Sequence, residues 1–116
     1  MKQVAKLFLL VIALIGCSDE PHSWPNQAFT ASEWARTAEA GRYVFARDLV
    51  DSHALVGKPV GDVKQLLGPP SSDNSADHYF TYVIKAGGSG FNQIYVLDIR
   101  INPTSGVVES ARVRGD

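Results

Sequence analysis

Leu55-Val-Gly-Lys-Pro-Val-Gly-Asp-Val-Lys-Gln-Leu-Leu-Gly-Pro-Pro70 marks the point where one periodicity of the chain ends and another begins. Pro59 has a fixed φ and no donor, which suits a helix start. Val60, Val63 and Leu67 then recur at spacings of three and four, with Leu66 beside them. Gly68 stands where a helix C-terminus favours left-handed backbone. Pro69 and Pro70 prevent continuation. The stretch therefore predicts a short helix with stops at both ends.

Downstream the period becomes two. Ser71 to Asp77 is polar and is expected to be a loop. Phe80, Tyr82 and Ile84 then share one face of a strand, and Tyr79, Thr81, Val83 and Lys85 the other. Gly87 to Gly90 reads as a flexible connection. Tyr95, Leu97, Ile99 and Ile101 alternate with Val96, Asp98 and Arg100, whose charges are expected to mark a solvent face. Asn102 to Gly106 is a turn with Gly106 at its positive-φ position. Val107 to Val113 predicts a third strand. The short connections favour an antiparallel meander.

Upstream, Thr30-Ala-Ser-Glu33 has the form of a capping box. Trp34 and Ala38 lie four apart on the turns that follow. A second helical stretch, Arg42 to His53, carries Tyr43, Ala46, Leu49 and Val50 as its apolar stripe. Whether Gly41 ends one helix or sits inside a longer one stays open. The coarse order is helix, helix, strand, strand, strand. It predicts a two-layer α+β domain over residues 30–116, with two N-terminal helices on a three-stranded antiparallel β-meander.

The N-terminus has a separate logic. Lys2 and Lys6 precede nine uncharged apolar residues, Leu7 to Ile15, and then Gly16 and Cys17. This is the layout of a secretory signal over residues 1–16, and nine residues fall well short of the ~20 that span a bilayer. Cys17 is the sole cysteine, so it has no intramolecular disulfide partner. Leu14-Ile15-Gly16-Cys17 resembles the lipobox of bacterial lipoproteins. The resemblance implies cleavage between Gly16 and Cys17 and a diacylglycerol on the Cys17 thiol, so that membrane lipid is the first partner. Ser18, where an aspartate would retain such a protein in the inner membrane, points to the periplasmic side of the outer membrane, although Asp19 follows one place later. Residues 17–29, polar and holding Pro21 and Pro25, are expected to form a flexible tether. Trp24 in this segment is expected either at the membrane interface or folded back on the domain.

The full chain has 11 lysines and arginines against 12 aspartates and glutamates. Loss of Lys2 and Lys6 with the leader leaves 9 against 12. With no basic run, a nucleic-acid partner is not expected. Of the three histidines, His22 falls in the expected tether, and His53 and His78 could hold a metal only by meeting in space with Asp51 or Asp77, since none shows ligand spacing. No Gly-x-Ser-x-Gly elbow or phosphate loop occurs. Neither catalysis nor a cofactor is expected.

The helix-and-stop motif also resembles the central motif of the SmpA/OmlA (BamE-like) family of small outer-membrane lipoproteins. Gly57, Val63, Leu67, Gly68 and Pro70 match its glycine, apolar and Leu-Gly-x-Pro positions. Tyr79-Phe-Thr-Tyr82 matches its aromatic strand, and Gly106-Val107 its later turn. Pro59 departs from the Ser or Thr cap usual in the family. Each matched residue has a structural reason to be there: Gly68 closes a helix, Pro70 directs the exit, Val63 and Leu67 fill a core, and Gly106 makes a turn. The resemblance implies an accessory of outer-membrane assembly. The expected function is thus a membrane-tethered, non-catalytic protein-interaction module contacting an envelope protein, with exposed aromatics Trp24, Tyr79 and Tyr95 as candidate contacts. The alternative is a soluble-ligand or enzyme-inhibitor binding domain of related fold, and a metal-dependent enzyme is the remotest reading.

Overall fold

The computed structural model describes residues 23–87 and 93–115. The lipobox, Gly16 and Cys17 lie outside them, as does most of the Gly87–Gly90 connection. Helices and a sheet alternate little: the helical elements come first and an antiparallel sheet follows, an α+β order. The elements are α1 (Ala31–Arg36), a 3-10 helix (Glu39–Phe45), α2 (Ala46–Asp51), α3 (Val60–Leu67), β1 (Ser72–Asn74), a 3-10 turn (Ser75–Asp77), β2 (Tyr79–Ala86), β3 (Ile94–Ile101) and β4 (Val108–Gly115). No helix among the described residues is long and apolar enough to cross a membrane.

Thr30 caps α1, accepting from the Glu33 N–H at 3.2 Å while its hydroxyl donates to the Glu33 carboxylate at 3.3 Å. The helix then stops earlier than its pattern suggests. Thr37 is extended, with ψ 132°, and its hydroxyl donates to the Glu33 carbonyl at 2.6 Å. Trp34 is buried, but Ala38 is exposed and outside the helix. The expected helix from Arg42 to His53 divides in two. Gly41 and Arg42 lie in a 3-10 helix, and true α-helix begins at Ala46. Arg42 accounts for part of this. Its guanidinium reaches back to the carbonyls of Trp34 and Thr37, both at 3.0 Å, and lies over the Trp34 ring. The expected stripe still points inward: Ala46 and Leu49 are buried, and Tyr43 and Val50 pack against them.

In α3, Pro59 precedes the first turn, and its carbonyl accepts from Asp62 and Val63. Gly68, at φ +86°, ends the helix. Its last carbonyls find side-chain donors. The Trp34 indole donates to the Leu67 carbonyl at 2.8 Å, and the Tyr82 hydroxyl to the Gly68 carbonyl at 2.6 Å. A buried helix end needs such partners. Burial pushes the Tyr82 phenol well above its ordinary value, with the Asp73 carboxylate adding to it.

The sheet has the order β1-β2-β3-β4, every pair antiparallel. It therefore has four strands where the alternation predicts three. The added strand lies in the expected Ser71–Asp77 loop. Ser72, Asp73 and Asn74 pair with Thr81, Phe80 and Tyr79. All three are polar edge residues, so no hydrophobic alternation announces the strand. It is fixed by the Ser71 N–H donating to the Thr81 carbonyl at 2.9 Å and by the Lys64–Asp73 ion pair at 2.7 Å. The last strand begins at Val108 rather than Val107 and runs on to Gly115. Val107 makes an isolated bridge to Pro59, and the Gly57 N–H donates to the Val108 carbonyl at 2.8 Å. Gly106, at φ +75°, closes the preceding turn by donating to Asn102.

One core lies between the helices and the sheet. Phe80, Tyr82 and Ile84 from β2 and Leu97, Ile99 and Ile101 from β3 meet Trp34, Phe45, Leu49, Leu55, Val63 and Leu67.

Candidate interaction face

The sheet face away from this core is the more informative one chemically. Antiparallel register places direct cross-strand neighbours on the same side. Thr81, Asp98 and Arg112 form one such row across β2, β3 and β4. Tyr79, Arg100 and Ser110 form the next, and Val83, Val96 and Arg114 the third. Alternation predicts that Asp98 faces solvent. It is instead fully buried, together with Thr81 and Val96. Side chains on the same face cover it. Arg100 donates to Asp98 Oδ2 at 3.0 Å, Arg114 lies at 3.4 Å and Arg112 at 4.0 Å from the same oxygen. The guanidinium of Arg100 also lies over the Tyr79 ring, 4.8 Å from its centre.

A buried carboxylate is costly unless paired, and this one is paired from the solvent side. The arginine side chains remain 42% exposed at Arg100 and 65% at Arg112. They thus bury their stems over the sheet and keep their charged ends accessible. Asp98 Oδ1 is buried with no hydrogen-bond partner among the described residues. Among the described residues, Arg100 and Arg112 thus present positive charge to solvent around a single buried carboxylate, with Arg114 beside them.

Of the three aromatics expected as contacts, two point elsewhere. Trp24 is buried, with edge-on contacts to Tyr43 and Tyr95 at 5.4 and 5.1 Å between ring centres. Tyr95 is half-buried beside it and packs against the core. Tyr79 is at the far end of β2, on the arginine face. The three do not form one patch. The segment expected as a flexible tether through Phe29 is also docked on the domain from Trp24 onward. Arg47 donates to the Trp24 carbonyl at 3.3 Å, Gln27 to the Val44 carbonyl at 3.0 Å, and the Phe29 N–H to Asp48 at 2.9 Å.

Sequence reasoning missed Asp98, Arg112 and Arg114 as a group. The available signal was the pairing of an Asp-x-Arg strand with an Arg-x-Arg strand, which antiparallel register brings onto one side.

The helical side carries a groove of about 640 Å³, lined by Ala31, Trp34, Ala35, Arg42, Leu66 and Pro69 among others. His53 and His78 are both exposed and in left-handed backbone, at φ 55° and 68°. Among the described residues no group of three or more His, Cys, Asp or Glu side chains is placed to hold a metal ion. No family model, curated protein or solved structure matches the chain.

Proposed function

We propose that the chain is a lipid-anchored protein on the periplasmic side of the outer membrane, and that it acts as an interaction module through contact with an envelope protein. The observation that carries this reading is the docking of Trp24. It lies seven residue steps after Cys17, the lipidation position in the lipobox. At ~3.6 Å per residue a chain of that length spans about 25 Å at most. Lipid on Cys17 would hold the folded domain against the bilayer surface, and its effective concentration for a membrane-bound partner would be high. A narrower form of the proposal, an accessory of outer-membrane assembly, is supported by the SmpA/OmlA-like run from Leu55 to Pro70 and by the antiparallel strands that follow it.

The test is complementation of a deletion strain at matched abundance. One form is lipidated, and the other carries an ordinary cleavable signal with Cys17→Ser. The readout is leakiness to large antibiotics. Rescue by the lipidated form alone is expected, and equal rescue by the untethered form rejects the tether requirement. The soluble-ligand alternative is favoured by the groove beside Trp34, and that equal rescue would support it.

A further inference from the structure

We propose that the outer sheet face at Arg100, Arg112 and Arg114 docks an acidic, extended segment of a protein partner. This deepens the contact reading above and rests on it. The first argument is charge. The chain as a whole is slightly acidic, with net charge -1, yet three of its 11 cations converge on one carboxylate. Arg112 is held least, 4.0 Å from Asp98 and 65% exposed. Guanidiniums favour carboxylates because two parallel N–H groups match two oxygens.

The second argument is spacing. Arg112 and Arg114 are alternate residues of β4, an edge of the sheet. Their Cα atoms are therefore about 7 Å apart, the same interval as alternate side chains of an extended segment lying beside them.

The test uses the full lipidated chain in neutral detergent micelles. The probe is a fluorescent decapeptide of alternating Glu and Thr. Comparisons are the same peptide with Gln for Glu, inorganic phosphate, and glycerol phosphate, the soluble headgroup of phosphatidylglycerol. The Glu peptide is expected to bind about tenfold more tightly than the Gln peptide, the scale of one to two exposed ion pairs, and to weaken with added salt. Arg112→Gln should lose about the same factor, Arg112→Lys less, and Arg112→Glu more. Arg112 is the arginine least tied to Asp98, so these variants keep the buried pair, and an unchanged circular dichroism spectrum verifies their fold. Equal binding of the two peptides, or an unaffected Arg112→Glu, overturns the proposal. So does binding to phosphate or glycerol phosphate without binding to the Glu peptide. The assay does not use the tether, so its failure leaves the lipidation requirement standing, and rescue by an untethered form leaves this result standing.

Discussion

The two faces of the sheet are made from the same strands and obey different physics. On the inner face, Leu97 and Ile99 are fully buried under helices and gain the ordinary transfer energy of apolar side chains. On the outer face, Asp98 sits between them in sequence and is equally buried, but what covers it is a set of half-exposed arginines. Burial alone therefore does not identify a core. The inner face is stabilised by what it removes from water. The outer face is stabilised by charges that stay in contact with water.

The largest effect should come from breaking the inner face. Leu97→Ala is expected to cost about 2–5 kcal/mol in urea unfolding, and a loss below about 0.5 kcal/mol would mean that the strand phase is wrong. Next comes the arginine that satisfies the buried carboxylate. Arg100→Gln should cost about 1–3 kcal/mol, because Asp98 then keeps its burial and loses its closest donor. The reverse change should be mild. Asp98→Val leaves arginines that can turn to water, so its cost should be under about 1 kcal/mol. If Asp98→Val were the more damaging of the two, the outer face would owe its stability to the carboxylate itself. Smallest is an effect of acid on the sheet edge. Asp73 is held from 3.8 down to about 2, first by the Lys64 ammonium and then by the Ser75 hydroxyl. Its folded-state value is depressed, so the clamp is complete above pH ~4 and is lost as pH falls towards 2. In an NMR titration, Lys64→Met should bring the Asp73 midpoint back up towards 3.8, and an unmoved midpoint would assign the shift to Ser75.

The inner face was legible because alternation reports burial under an apolar layer. Phe80, Tyr82, Ile84, Leu97 and Ile99 all fall where period two puts them. The short helix was legible because Pro59 and Gly68-Pro-Pro70 punctuate it, and Val63 and Leu67 are its buried pair. Ser72–Asn74 was not legible, since a polar edge strand pairs through its backbone and leaves no side-chain pattern. Nor was the buried state of Asp98, which depends on arginines 14 and 16 positions away on a neighbouring strand, and two away on its own. The division of Arg42 to His53 into 3-10 and α segments depends on where the Arg42 guanidinium binds, and that too is a tertiary fact.

The docked segment from Trp24 to Phe29 has a mechanical consequence. A pull on a lipid at Cys17 would enter the domain at Trp24, through its contacts with Tyr43 and Tyr95 and the Arg47 hydrogen bond to its carbonyl. These contacts, with those of Gln27 and Phe29, are single hydrogen bonds and ring contacts loaded in series with the multi-residue strand ladders, so as the weaker links they would yield first. Their release would pay out about six residues, or roughly 20 Å of chain, while β1 to β4 stayed paired. In the proposed lipid-anchored form, the aromatic latch would work as a slack reserve, absorbing separation between bilayer and partner without unfolding the sheet.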